Sequence, residues 1–251
     1  MVPIICLLHV VLFCLFPLSS TSWRAPLYPP PGFGVATPRL TRSLPLCARD
    51  ADPSNPENSD YLSKLDDFYV RTRTLFLHGE LDDHKSYRLI SAVLRMNEQN
   101  PNGKITFYIN SPGGSVSAGL AIYDILQSLQ MPVETICLGQ AASMGAFLLA
   151  SGTKGMRCAM PNSRIMIHQP LGGAHGEVTD IKIQANEILQ VRQILNTHLS
   201  HFTGKPISQV ELDCDRDNYM RPSEAIEYGL IDYICPTRTS HLVVPPASTV
   251  E

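Results

Sequence analysis

Several chemistries are excluded by what the chain lacks. Its seven cysteines, Cys6, Cys14, Cys47, Cys137, Cys158, Cys214 and Cys235, form no CxxC pair and no metal-ligand spacing. Cys6 and Cys14 lie in the leading apolar run, and for the rest reduced, buried thiols are the expected state. No HExxH or similar pattern occurs, so no metal site is expected, and nothing points to a cofactor. A P-loop is also missing: Gly152-Thr153-Lys154-Gly155 lacks the required spacing, so the chain itself is not expected to hydrolyse ATP. There is no Lys/Arg run and no internal repeat. Acidic residues are absent before Asp50, whereas Arg24, Arg39, Arg42 and Arg49 all lie there. The remaining 16 basic residues face all 23 acids, a balance of −7 that gives the body no electrostatic reason to hold nucleic acid.

What is present begins with an uncharged apolar run over residues 2–17, followed by Ser19-Ser20-Thr21-Ser22. It is too short for a comfortable membrane span and reads as a signal peptide over 1–22. Residues 23–49 are rich in Pro and Arg and free of acids, a composition that buries no core and matches a transit peptide. With the linker, this second part runs to residue 55. The order Ser22, Trp23, Arg24, Ala25, Pro26 resembles the aromatic-x-Ala-Pro start of the two-part leaders of plastids of secondary origin. The expected destination is a reducing plastid stroma, reached through the secretory pathway, with no membrane segment in the mature form.

Beyond a Pro-, Asn- and Ser-rich linker at 52–59, strand and helix patterns alternate through a domain at 56–236, with a flexible tail at 237–251. Strands are expected at 74–77, 105–109, 133–138 and 164–167. Helices are expected at 84–99, 118–130, 143–150, 179–202, 208–212 and 222–228. The helix at 84–99 carries Leu89, Ile90, Val93 and Leu94 on one face, with Asp82 or Asp83 as its cap. Along 179–202, Ile181, Ile188, Val191, Leu195, Leu199 and Phe202 make an apolar stripe that suits a core or a neighbouring subunit. Repeated strand–helix units predict an α/β fold around a largely parallel sheet. With 44% hydrophobic residues, the chain has enough apolar material for a sizeable core.

The chemistry gathers in four places. Ser143 stands in Gly139-Gln140-Ala141-Ala142-Ser143-Met144-Gly145-Ala146, after a strand and at the start of a helix, as in a nucleophile elbow; the alternative is a plain helix cap. A serine hydroxyl needs a base. His168 leaves the strand Arg164-Ile165-Met166-Ile167 into Gln169-Pro170-Leu171-Gly172-Gly173, where its ring can enter a cleft; a packed core histidine is the alternative. His175, His198 and His201 compete on chemistry alone, although the last two sit in the long helix as surface or packing residues. A carboxylate must orient the imidazole, and Asp213, Asp215 and Asp217 remain equal candidates on spacing. The order Ser, His, Asp disfavours the α/β-hydrolase fold. Asn110-Ser111-Pro112-Gly113-Gly114-Ser115 can supply a backbone donor to an oxyanion.

Four ordered blocks, Tyr108-Ile109-Asn110-Ser111-Pro112-Gly113-Gly114-Ser115-Val116, Gly139 to Gly145, Met166 to Gly173 and Asp215-Arg216-Asp217-Asn218, resemble the signature blocks of ClpP, the proteolytic subunit of ATP-dependent Clp proteases. The resemblance implies a ClpP/crotonase-like fold of stacked ββα units with a protruding handle helix at 179–202. It implies a serine endopeptidase with Ser143 as nucleophile, His168 as base and Asp217 as orienting acid. Gly114 and Met144 would supply the oxyanion hole. Gly172 and Gly173 would sit beside the substrate, and Asp215 and Arg216 would form a ring–ring charge pair. Implied partners are like or mixed subunits in heptameric rings stacked as a tetradecamer, unfolded protein substrates, and a ClpC-like AAA+ unfoldase of the Hsp100 class. The chain keeps all three triad residues, unlike non-catalytic ClpR-type subunits, and a crotonase-type acyl-CoA enzyme would not need them. Asp60 to Phe68 replaces the family's usual axial-pore segment without a recognisable match. Residues 1–55 fused to a fluorescent reporter are expected to deliver it to the plastid stroma; retention of the reporter in the secretory pathway would overturn the leader reading.

Overall fold

Strand-forming runs separated by amphipathic helices give the chain its architecture, which a computed structural model describes for residues 56–238, with side chains from Lys64 onward. The signal, transit and tail segments, with Cys6, Cys14, Cys47 and Trp23, lie outside the described residues. In chain order the strands are β1 (Thr74–His78), β2 (Ile105–Ser111), β3 (Val133–Ala142), β4 (Arg157–Ala159), β5 (Arg164–Ile167), β6 (Asn218–Met220) and β7 (Tyr233–Ile234). The helices are α1 (Pro56–Thr72), α2 (Asp83–Gln99), α3 (Val116–Ser128), α4 (Met144–Ala150), α5 (Val178–Thr203), α6 (Ile207–Asp213) and α7 (Pro222–Tyr228).

The sheet runs β1-β2-β3-β4-β7, and every pairing along that path is parallel. β5 adds in parallel to the far end of β3, and β6 closes on β5 as the one antiparallel pair among the described strands. The expected α/β class with a largely parallel sheet is what the chain forms. β3 does two jobs. Its first half, Thr135 to Cys137, pairs with β4, while Gln140 to Ala142 pairs with β5. Between them the register against β2 slips, and Gly139 takes a φ of +67°, a left-handed conformation that glycine adopts without a Cβ penalty. Such a bulge bends a strand. Here it carries the end of β3 out of the main sheet towards β5.

Burial follows the pleat. In β2, Ile105, Phe107, Ile109 and Ser111 are buried while the alternate residues are half-buried. α2 is capped by Asp82, whose carboxylate accepts from the Lys85 N–H at 2.7 Å. Its buried face is Ser86, Leu89, Ala92, Val93 and Met96, whereas Leu94 is 46% exposed and does not belong to it. The spacing of Leu89, Val93 and Met96 fixes that face, and Leu94 stands one residue around the helix from it. The Ser86 hydroxyl is tolerated inside because it donates to the Ala118 carbonyl at 2.9 Å.

Three strands, β4, β6 and β7, are only two or three residues long and carry too little periodicity to be read in advance. α1 was also not anticipated: its start, Pro56-Glu57-Asn58-Ser59-Asp60, reads as linker. Further along, Leu65, Phe68, Tyr69 and Val70 pack into or against the core, which is what holds the helix in place. The long α5 is divided. Leu195 and Leu199 are buried and Val191 and Phe202 pack on the core, but Val178, Ile181, Ile183, Leu189 and Ile194 are exposed. All four described cysteines are free and buried.

Arg157, only 1% exposed, ties the domain together. Its guanidinium donates to Asp232 through Nε at 3.0 Å and Nη2 at 2.8 Å, and through Nη1 to the carbonyls of Ala150 and Phe202, both at 3.1 Å. These carbonyls belong to the last turns of α4 and α5. Asp232 also accepts from the backbone N–H of Gly155 and Arg157. Burial alone would raise the Asp232 carboxyl, but Arg157 and the two backbone donors hold it below its ordinary value. The carboxylate therefore stabilises the fold at pH values above about 4 and loses that contribution as pH falls through its lowered pKa. Asp232→Ala is expected to cost about 3 kcal/mol by leaving a buried guanidinium unpaired. Asp232→Asn should cost less and flatten the acid limb of the stability curve; urea denaturation from pH 3 to 7 checks both.

Candidate active site

The bend at Gly139 and the start of α4 leave Ser143 on a sharp turn. Its φ of 54° and ψ of −123° lie outside the regions comfortable for a residue with a Cβ, a strain of about 1–3 kcal/mol. The turn is held from both sides: the Ser143 N–H donates to the Met166 carbonyl of β5 at 2.9 Å, and the Ser143 carbonyl accepts from the Phe147 N–H at 3.1 Å. Although Ser143 sits at the cap position of α4, its hydroxyl makes no capping bond. That hydroxyl accepts from and donates to no other described residue. The plain-cap alternative for Ser143 therefore fails, and Ser143 itself is not helical.

The Gly113-Gly114 turn lies directly against this serine. A Cβ on Gly113 would stand 2.7 Å from the Ser143 Cβ, and Gly113 already has a φ of +101°. Only glycine fits there. Leu81 clamps the turn, donating its N–H to the Gly113 carbonyl at 2.7 Å and accepting from the Ser115 N–H at 2.8 Å. The Gly114 N–H between these bonds, and the Met144 N–H in the first turn of α4, donate to none of the described residues. Two backbone donors thus remain free, one on the turn packed against Ser143 and one on the residue after it.

His168 follows β5, and its ring is largely buried at 16% side-chain exposure. Its Nδ1 lies 3.0 Å from Asp217 Oδ1. An ionised carboxylate only accepts, so it favours the proton on Nδ1, and in the neutral imidazole that tautomer leaves Nε2 as the acceptor nitrogen. Among the three acids that spacing left open, geometry distinguishes Asp217. Asp213 instead accepts from Tyr228 Oη at 2.8 Å and Gln209 Nε2 at 2.9 Å, and Asp215 accepts from Gln169 Nε2 through its backbone carbonyl at 2.8 Å. Asp215 and Arg216 are both exposed on the turn that presents Asp217. His175 lies on the loop before α5, where its backbone exchanges hydrogen bonds with the Gln184 amide, and His201 is exposed.

Ser143 and His168 line one cleft, together with Val116, Met144, Phe147, Ile167, Pro170, Leu195, Asn196 and Leu199. No hydrogen bond joins the Ser143 hydroxyl to His168, although both side chains line the same cleft. Phe147 forms the apolar wall and is backed edge-on by Tyr123 at 5.3 Å, Phe202 at 5.5 Å and His198 at 5.9 Å. His198 is thus a packing residue, and burial lowers its pKa despite the opposing pull of Asp124. The cleft walls from α4 and α5 were not foreseen; the stripe through Leu195 and Leu199 was the only sign of them. Gln169 was missed as well. Its N–H donates to the Cys214 carbonyl at 2.6 Å and its amide to Asp215, so it fixes the turn that carries Asp217. Its place next to His168 was the available hint.

A family model described as Clp protease matches residues 57–238, well over half of the chain. The chain belongs to the Clp protease family. It is a serine peptidase of the ClpP type, and its α/β domain is the ClpP-like fold. The Clp protease match takes in the Gly113-Gly114 turn, the Ser143 elbow, the long α5 and the Asp217 turn, and it starts early enough to include α1. Two substitutions test the elbow. Ser143→Gly should be about 1 kcal/mol more stable than Ser143→Ala in thermal melts, because only glycine relieves the positive φ. Gly113→Ala should fold with reduced stability and lose peptidase activity, because its methyl group collides with the Ser143 side chain.

Proposed function

We propose that this Clp protease chain cleaves peptide bonds through an acyl-enzyme formed on Ser143, with His168 as general base and Asp217 as the group that orients it. The observation carrying this reading is the hydrogen bond of 3.0 Å between His168 Nδ1 and Asp217, in a cleft that also holds a strained serine with a free hydroxyl. Asp217 keeps the proton on Nδ1, so Nε2 can take the Ser143 proton as Oγ attacks the scissile carbonyl. The oxyanion would be met by the Gly114 and Met144 N–H groups. His168 then returns its proton to the departing amine, and a water molecule activated by the same imidazole releases the acyl group. Catalytic hydrogen bonds are often long or poorly aligned before substrate binds, and the missing bond between Ser143 and His168 is read as such a state. In the working complex Oγ would donate to Nε2. The apolar walls of Val116, Phe147, Leu195 and Leu199 would suit an apolar side chain of the substrate.

The same proposal includes the assembly. The exposed apolar half of α5 suits the handle contact between two heptameric rings, with Asp215 and Arg216 exposed near the site as a candidate charge pair between rings. Substrates would be unfolded proteins delivered by a ClpC-like AAA+ partner that hydrolyses the ATP, and the setting would be the stroma of a secondary plastid. A fluorophosphonate probe should label the assembled protein at Ser143. Labelling that survives Ser143→Ala would sink the assignment. Asp217→Asn should assemble normally, with peptide cleavage reduced by about 10³–10⁴-fold; unchanged cleavage would remove Asp217 from the mechanism.

A further inference from the structure

Outside the cleft, one group of reactive side chains is not used by peptide hydrolysis. Cys158 in β4 and Cys235, just past β7, bring their sulfurs to 2.6 Å. That is about half an ångström beyond an S–S bond of about 2.05 Å, and well inside the separation kept by two non-bonded sulfurs. Both residues are buried, at 1% and 8% exposure, in a small apolar cluster with Ile136, bordered by Tyr108, Leu138, Met160 and Tyr233. The backbone holds this approach in place: Cys158 pairs with Tyr233 across the parallel strands, and the Cys235 N–H donates to the Ala159 carbonyl at 2.9 Å. Cys137 and Cys214 are buried free thiols with no such sulfur contact.

We propose that Cys158 and Cys235 are a reversible disulfide site, oxidised by a low-molecular-weight disulfide and reduced by a dithiol. In the forward direction the Cys235 thiolate attacks one sulfur of the small disulfide, a mixed disulfide forms and one small thiolate leaves. The Cys158 thiolate then attacks the Cys235 sulfur, the intramolecular S–S bond closes and the second small thiol departs. The two protein thiols are oxidised together, and one small disulfide becomes two thiols.

Cys158 is a poor acid, because the Cys235 thiol beside it and burial both push its pKa far above the ordinary range. Oxidation is therefore slow in the closed structure and is gated by fraying of β7, an edge strand of only two residues. Once formed, the bond staples the C-terminal segment to β4, beside the ion pair through which Arg157 holds Asp232. It closes a loop spanning 77 positions, which restricts the unfolded chain and raises thermal stability.

The test uses the purified assembled protein, incubated with oxidised glutathione or diamide up to temperatures just below melting, then digested with trypsin without reduction. The expected product is peptide 158–164 joined to peptide 217–238, lighter than the two reduced peptides by two hydrogens and separated by dithiothreitol. Each of these peptides holds a single cysteine. Oxidised wild type should melt about 5 °C above the reduced form, and Cys235→Ser should show neither the linked peptide nor an oxidant-dependent shift. Complete alkylation of both cysteines after unfolding the oxidant-treated protein would overturn the site. A linkage of Cys235 to Cys137 in place of Cys158 would also overturn it.

Discussion

One buried cation organises this domain. Arg157 donates to carbonyls in the last turns of two helices and to the Asp232 carboxylate, so α4, α5, β4 and the approach to β7 are registered against each other. The functional consequence is indirect but strong. α4 begins just after the strained serine, and α5 supplies Leu195, Asn196 and Leu199 to the same cleft. Both helices are thus referenced to the same guanidinium. Removing a charged group of this kind is expensive because its desolvation is already in place and only its partners offset it.

The cleft itself depends on a local conflict between backbone and side chain. A residue with a Cβ occupies a φ that favours glycine, and a glycine occupies Gly113, where any side chain would strike it. The bulge at Gly139 makes both possible by turning the end of β3 towards β5. Position matters more than acidity here. Three aspartates lie within five residues, but Tyr228 and Gln209 engage Asp213, and Gln169 draws the backbone of Asp215 aside, leaving Asp217 against His168.

Much of this was legible in the residues, for identifiable reasons. β2, β5, α2 and α7 follow from alternation, periodicity and caps, and β5 and α7 fall at the expected residues. The glycines near Ser143 announced a close approach, and Gly113 does crowd the Ser143 side chain. Other features were hidden. α1 opens with linker-like residues and reveals its apolar face only from Leu65 onward. Which aspartate faces His168 depends on hydrogen bonds from Gln169, Gln209 and Tyr228, which linear spacing does not encode. The meeting of Cys158 with Cys235 depends on β7 joining the sheet beside β4, a long-range pairing with almost no local signal.

The outward half of α5 has a consequence for how such a chain is made and stored. Val178, Ile181, Ile183, Leu189 and Ile194 form a greasy rod that one copy alone leaves in water. A lone copy is therefore a hazardous species, prone to clump with whatever apolar surface it meets first. Correct folding does not by itself keep two such surfaces apart, and crowding raises the rate at which they meet.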